Sequence, residues 1–177
     1  TLNDVCLASM TSVAMGALLV RAGQAGTVLV GGFDSMSRAP HAAVMRGGVG
    51  LGDTPLVDVL VRDGLWCAFD DAGMGPQAET TNAALGISRA DQDAFALASH
   101  QRAAAARDAG RLAEEIVPVA SGGRTVLDDE GIRADSTAGK LAGLRPAFRA
   151  NGTITAGNAS QLSDAGAAGL VTTQERA

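Results

Sequence analysis

The segment from Cys6 to Ala22 carries one charge, Arg21, and no proline. Asn3 and Asp4 before it read as a turn leading into a helix, which puts Cys6 at or near the helix N-terminus. Met10, Val13, Met15, Leu18, Leu19 and Val20 cover nearly the whole surface of that helix, so it is expected to be buried on most sides. Ala8, Ser9, Ser12, Gly16 and Ala17 are small enough to admit another backbone closely. The helix is expected to run to Val20 or Ala22 and to stop at Gly23, a natural residue just past a helix end. Unpaired N–H groups and the positive end of the helix dipole favour a thiolate at a helix start. Cys6 therefore reads in two ways, as a buried structural cysteine or as a nucleophile.

Thr27-Val28-Leu29-Val30 follows, a short apolar run between glycines that predicts a buried strand. A helix followed by such a strand fits an α/β layer. Gly31-Gly32 would let the backbone turn sharply at the strand exit.

From Ser35 the character changes. Gly47-Gly48-Val49-Gly50-Leu51-Gly52-Asp53 is dense in glycine but lacks the Lys-Ser/Thr of a phosphate-binding loop and opens no dinucleotide-binding helix, so nucleotide binding through it is rejected. Pro55 to Asp63 predicts a short helix ended by Gly64, and Leu65, Trp66 and Phe69 an apolar cluster. Cys67 lies in that cluster with no base or metal-ligand pattern beside it and reads as structural. Gly75 to Leu85 predicts a helix closed by Gly86. Ser88-Arg89-Ala90-Asp91 is a variant capping box opening a further helix that ends near Gly110. His100 lies on the polar side of that helix and reads as a solvated histidine; His41, beside Pro40, has no support as a catalytic base.

Glu115 to Val119 and Arg124 to Leu127 are strand candidates. Asp128-Asp129-Glu130 reads as a solvated turn, without the ligand spacing of a calcium loop. Asn151-Gly152 signals a tight turn before a short strand, Thr153-Ile154-Thr155. Gly157-Asn158-Ala159-Ser160 is small enough to let a ligand pass close to the backbone. Gln174 to Ala177 reads as the first turn of a helix that is cut off.

Composition narrows the function classes. The 177 residues suffice for a sizeable core. A net charge of −5 leaves no general basic field for nucleic acid, and 3% aromatic residues with no tyrosine leave no base-stacking surface. Two cysteines in dissimilar surroundings make no disulfide framework and suit a reduced, cytoplasmic setting. No apolar run reaches membrane-spanning length and there is no signal-like start. The chain opens on Thr1 almost directly before Cys6, which suggests a piece of a longer polypeptide.

The segment Leu2-Asn3-Asp4-Val5-Cys6-Leu7-Ala8-Ser9-Met10 resembles the nucleophile motif of the thiolases. The likeness continues in order through Gly31-Gly32-Phe33-Asp34-Ser35-Met36-Ser37, Met74-Gly75, Asp91-Gln92-Asp93-Ala94-Phe95-Ala96, Glu115-Ile116-Val117-Pro118, Leu144-Arg145-Pro146-Ala147-Phe148 and Thr155-Ala156-Gly157-Asn158-Ala159-Ser160. Ala39-Pro40-His41 and Arg46-Gly47-Gly48-Val49 make it most similar to the biosynthetic, acetoacetyl-CoA-forming branch. The resemblance implies an α/β thiolase-like fold. Residues 1–34 and 163–177 would belong to the N-terminal αβ layered domain, and residues 35–162 to an inserted α+β loop domain that binds CoA and makes tetramer contacts. The C-terminal thiolase domain would be absent.

The resemblance also implies a chemistry. Cys6 would take an acyl group from a CoA thioester, and a second acetyl-CoA, deprotonated at its α-carbon, would attack the acyl-enzyme; thiolysis is the reverse. No permanently bound cofactor is expected; the partners are acetyl-CoA and acetoacetyl-CoA and further copies of the chain in a dimer of dimers, with neither nucleic acid nor membrane. By resemblance Leu65 and Met74 line the tunnel for the pantetheine arm and acyl group. Arg133 falls on a position that contacts the adenine nucleotide end of CoA, and Lys140 on that of a CoA-contacting Ser, from which a lysine could reach a phosphate. Phe148, Ala156 and Ser160 fall beside the pantetheine and sulfur. The family's activating His, its second Cys and its water-holding Asn have no counterpart in this sequence, so the segment alone is expected to be inactive or nearly so. Gly73 stands where many members of this branch carry His, Ala8-Ser9 where Ser-Gly is common, and Asp164-Ala165-Gly166 for the usual Asp-Gly-Ala order. A degradative 3-ketoacyl-CoA thiolase and a non-catalytic CoA-binding fragment are the alternatives.

Overall fold

The computed structural model describes residues 1–177. In chain order the regular elements are α1 (Ala8–Arg21), β1 (Thr27–Ser35), β2 (His41–Ala42), β3 (Val57–Asp58), β4 (Trp66–Cys67), β5 (Ala72–Gly73), α2 (Met74–Ala84), α3 (Arg89–Asp108), β6 (Val119–Ser121), β7 (Arg124–Val126), α4 (Ala138–Ala142) and β8 (Asp164–Thr172). The chain divides into two compact units, one of Thr1–Leu65 with Leu162–Ala177 and one of Trp66–Gln161.

The first unit is built on an antiparallel ribbon. β1 pairs with β8 in a register running from Thr27 opposite Thr172 to Ser35 opposite Asp164. The strand is longer than the apolar run alone predicts, and Gly31-Gly32 continues it instead of turning it. The reason is proximity. A Cβ on Gly31 would run into the carbonyl oxygen of Ala167 on the facing strand, so glycine serves close strand approach there. Ser37 ties off the far end: its N–H donates to Asp164 Oδ1 at 2.9 Å and its hydroxyl to Oδ2.

Helix α1 packs on this ribbon through Gly16, its one buried residue. A Cβ at Gly16 would stand 2.8 Å from Val30 Cγ1, with Val28 and Val171 close behind. The helix ends as its sequence predicts, with Ala22 as cap and Gly23 at φ +69°. Its expected burial on most sides is not met. Met10, Val13, Met15 and Leu18 are 47–69% exposed, because a two-stranded ribbon covers only one stripe of a helix. The predicted helix over Pro55–Asp63 is also corrected. Val57–Asp58 pairs with His41–Ala42, and only Leu60–Gly64 forms a wide helical turn. Asp58 Oδ1 accepts the N–H of Leu60 at 2.9 Å and delays the helical turn until after the strand.

The second unit begins with the two-residue pairing of β4 and β5. The expected apolar cluster at Leu65, Trp66 and Phe69 does not form a core: Phe69 is fully exposed, and Trp66 lies partly open with its indole N–H on Asp71 Oδ1 at 3.0 Å. α2 closes at Gly86 with φ +66°. α3 opens with the predicted capping box, Asp91 N–H to Ser88 Oγ at 3.1 Å and Ser88 N–H to Asp91 Oδ2 at 3.2 Å. β6 and β7 form a hairpin whose turn, Gly122-Gly123, has positive φ at both residues, the geometry a tight two-residue hairpin needs. The strand predicted for Glu115–Val119 begins only at Val119, since Leu112–Glu114 is a tight helical turn capped by Glu115. Thr153–Thr155 makes one bridge, Thr155 to Pro146, with the Ala147 N–H on the Ile154 carbonyl at 2.9 Å. α4 was not foreseen; Thr137 caps it by accepting the Lys140 N–H at 3.2 Å. The buried residues of this unit are Ala104, Leu141, Ile154, Glu79, Asp93 and Thr155. Half of that core is polar.

Candidate functional site

Cys6 sits in the single 3₁₀ turn Val5–Leu7 that leads into α1, and it is exposed. The buried reading of this cysteine is therefore overturned. Val5, the residue before it, has φ +48°. A β-branched residue there is a backbone outlier, a strain of about 1–3 kcal/mol that neighbouring contacts must sustain. Those contacts are local: the Leu7 N–H donates to the Asp4 carbonyl at 2.9 Å and the Thr11 hydroxyl to Asp4 Oδ2 at 2.9 Å. The turn expected at Asn3-Asp4 lies slightly later, over residues 4–7, and Asp4 staples it to the first turn of α1. Leu65, half-buried in this same unit, ends the Leu60–Gly64 turn by donating its N–H to the Leu60 and Val61 carbonyls.

The other residues singled out by sequence lie in the second unit, around a hairpin from Pro146 to Thr155. Phe148 lies on one arm. Its ring covers Gly75 so closely that a Cβ there would overlap it. Met74, the neighbour of Gly75, starts α2 and is partly exposed. Arg149 fastens this arm to α2, with Nη2 on the Pro76 carbonyl at 2.8 Å and on Thr80 Oγ1 at 2.6 Å. Ala156 follows the other arm. Gly157 is pressed against Leu141 and Leu144, where a Cβ would meet methyl carbons at 2.6 Å. Ala156 and Ser160 are both exposed while Thr155 is fully buried, so the segment shows backbone and small side chains outward from an anchored base.

Gln161, next to Ser160, donates Nε2 to the Gly131 carbonyl at 3.0 Å. That bond ties Gly131, two residues before Arg133, to the residue that follows Ser160. Arg133 spends Nη1 on the Glu130 carbonyl at 2.9 Å. Its backbone N–H donates to His100 Nδ1 at 3.2 Å, so His100 is a half-buried acceptor, not a solvated histidine. Lys140 lies in α4 beside the Gly157 contact, and its Nζ meets Asp135 Oδ2 at 2.6 Å. The hydrogen bond from Lys140 holds the Asp135 carboxyl below its usual range. Cys67 is half-buried with Sγ 3.9 Å from Asp70 Oδ2, and no group of three His, Cys, Asp or Glu side chains is placed to hold a metal ion.

Sequence reasoning missed the residues that support this hairpin. Glu79, 5% exposed, accepts the N–H groups of Thr153 and Ile154 at 2.9 Å and the Thr153 hydroxyl at 3.0 Å. Burial acts to raise its pKa, but those hydrogen bonds and the nearby Arg149 outweigh it and hold the carboxyl below its usual range. Gly152 is required beside it, since a Cβ there would collide with Oε1. Asp93, 7% exposed, receives Arg89 Nε and Asn158 Nδ2, each at 2.8 Å. The Arg89–Asp93 spacing of four residues on one helix was the available signal.

Helix α1 on its ribbon and the mixed helices and strands of the second unit make an α/β protein, and its likeness to a solved thiolase structure shows the fold to be thiolase-like. The chain belongs to the thiolase family: the family model "Thiolase, N-terminal domain" matches residues 1–175. It is 47% identical over 180 residues to an acetyl-CoA acetyltransferase of Paracoccus denitrificans, covering 99% of this chain and 46% of that protein. It is 45% identical to a probable acetyl-CoA acetyltransferase of Mycobacterium tuberculosis, covering 100% of this chain and 47% of that one. The structure is similar to human mitochondrial 3-ketoacyl-CoA thiolase in complex with CoA, with a TM-score of 0.92 and 35% identity over 99% of this chain and 45% of that chain. The chain thus spans about half the length of the curated relatives it matches.

Proposed function

We propose that this chain is the nucleophile-bearing part of an acetyl-CoA acetyltransferase, acting in the cytoplasm as a homotetramer in acyl-CoA and lipid metabolism. The observation that carries the reading is Cys6: an exposed thiol at the head of α1, in a sequence matched to the thiolase N-terminal domain over residues 1–175. The relatives named acetyl-CoA acetyltransferase support the choice of substrate.

In this reading Cys6 Sγ attacks the carbonyl carbon of an acetyl-CoA thioester. The new C–S bond replaces the bond to CoA, which leaves as its thiol. A second acetyl-CoA loses an α-proton to a base, and its carbanion attacks the acetyl carbon on Cys6. The C–C bond forms, the C–Sγ bond breaks, and acetoacetyl-CoA is released. Thiolysis reverses each step. The base for Cys6 and the acid/base for the α-proton come from the part of the polypeptide outside residues 1–177. In the second unit Phe148, Ala156 and Ser160 receive the pantetheine arm with Met74, and Arg133 and Lys140 receive the phosphates of CoA; Leu65 of the first unit is assigned to the acyl tunnel by resemblance alone.

The test is to incubate the full-length polypeptide with acetyl-CoA and map the modified peptide by mass spectrometry. An acetyl group on Cys6, absent in Cys6→Ala, is the expected result. An unmodified Cys6 with no turnover of acetoacetyl-CoA overturns the reading. The likeness to a 3-ketoacyl-CoA thiolase, together with Gly73 where many members carry His, permits a second reading as a longer-chain thiolase, which the relatives' names support less. A chain-length series of 3-ketoacyl-CoA substrates separates the two by where kcat/KM peaks.

A further inference from the structure

The buried carboxylate of Asp93 faces an exposed loop only through another side chain, the amide of Asn158. We propose that Asp93 is a positioning residue that fixes the Asn158 amide, and through it the shape of the Ala156–Ser160 loop that receives the pantetheine arm of a CoA thioester. The proposal rests on the reading of this chain as CoA-binding.

An ionised carboxylate only accepts hydrogen bonds, so it can meet the Asn158 amide only on its NH₂ side. Asp93 Oδ1 takes Nδ2 at 2.8 Å, and the same nitrogen donates to the Thr153 carbonyl at 3.1 Å. The amide oxygen is thereby turned to the Thr155 N–H, which it accepts at 2.8 Å. Reversing the amide would set its oxygen against Asp93 and its NH₂ against the Thr155 N–H. The orientation therefore follows from the network.

With the amide fixed, the turn closes. The Ala159 N–H donates to the Thr155 carbonyl at 3.0 Å, and the Gly157 N–H to Thr155 Oγ1 at 3.1 Å. Thr155 is locked inside, and Ala156 and Ser160 stay outside. Asp93 also controls the surface beneath. It holds Arg89 Nε, and Arg89 Nη2 donates to the carbonyls of Leu141 and Leu144, the residues on which Gly157 rests. One carboxylate thus sets both the hinge of the loop and its floor.

The experiment uses the full-length polypeptide with Asp93→Asn, Asn158→Ala, the reciprocal pair Asp93→Asn/Asn158→Asp, and Ser88→Ala. The last removes the α3 cap and serves as a destabilised control in which the Asp93 and Asn158 side chains are intact. The readouts are the Kd for CoA by calorimetry, KM and kcat with acetoacetyl-CoA, and the rate of Cys6 alkylation by iodoacetamide. Asp93→Asn and Asn158→Ala are expected to raise Kd and KM about tenfold or more, with a smaller change in kcat and unchanged alkylation of Cys6. The reciprocal pair regains the amide–carboxylate bond and recovers part of the affinity. Ser88→Ala binds CoA as the wild type does.

The proposal is overturned if the single variants bind CoA within twofold of wild type, or if Ser88→Ala weakens binding as much as they do. It is also overturned if both single variants and the pair fail to fold by circular dichroism, since the network would then be purely structural. Wild type that neither binds CoA nor acylates Cys6 refutes the underlying functional reading, a result distinct from all of these.

Discussion

The carboxylate of Glu79 on α2 receives the backbone N–H of Thr153 on both of its oxygens at 2.9 Å, and the hydroxyl of the same residue on Oε2 at 3.0 Å. Ile154 adds a further N–H to Oε1 at 2.9 Å. A buried anion thus stands where a neighbouring strand would otherwise satisfy this part of the hairpin. Such an arrangement stabilises only while the group is ionised and every donor is in place.

Glu79→Gln is expected to destabilise the protein by about 1–3 kcal/mol, because the amide NH₂ must face backbone N–H groups in place of an acceptor. Chemical denaturation at pH 7 measures it. An unchanged midpoint and slope would refute this account of the hairpin.

The pH dependence has a definite sign. The folded-state pKa of Glu79 is depressed, so its contribution is fully present above the unfolded value of about 4.3 and is lost as the pH falls through the lower folded value. Unfolding free energy is expected to fall with acidification over that window, and less steeply in Glu79→Gln. Parallel curves for the two proteins would show that Glu79 does not carry the effect.

Gly31→Ala is expected to cost about 2–4 kcal/mol, since the added methyl meets a backbone carbonyl of Ala167 that cannot move without parting β1 from β8. Gly16→Ala meets a movable Val30 methyl at 2.8 Å and gains helix propensity. Its net cost is expected to be smaller, about 1 kcal/mol. Thermal melts rank the two, and the reverse order would contradict the packing described.

Cys6→Ala in the full-length polypeptide is expected to abolish acyl trapping and lower turnover at least about a thousandfold. In the 177-residue chain itself, stability should change by less than about 0.5 kcal/mol because the side chain is exposed there. Retained turnover would remove Cys6 from the mechanism.

Arg133→Ala is expected to raise the KM for acetoacetyl-CoA about tenfold, with a much smaller effect on a pantetheine thioester that lacks the nucleotide. An equal effect on both substrates would place Arg133 away from the phosphates.

Several features were legible in the residues alone because they are local. Gly23, Gly86 and Gly110 end helices at positive φ, the Ser88–Asp91 box opens α3, and Arg124 to Val126 forms the hairpin strand. Each depends on residues within a few positions, where propensity, capping and turn chemistry act. Cys6 was legible as a helix-head cysteine for the same reason. Its exposure was not, because burial depends on what covers a helix face and not on how apolar that face is.

Tertiary structure alone decided where the carboxylates went. Glu79 and Thr153 are 74 residues apart, and Asp93 and Asn158 are 65 apart. Nothing in the neighbourhood of a helical Glu or Asp says which distant N–H or amide it will meet. Only the folded chain brings those donors within hydrogen-bonding distance, and only there does the cost of burying an anion demand them. The sequence by itself determined α1, α2 and α3, their ends and the candidate nucleophile. The three-dimensional packing determined which buried charges hold the Pro146–Ser160 segment in shape.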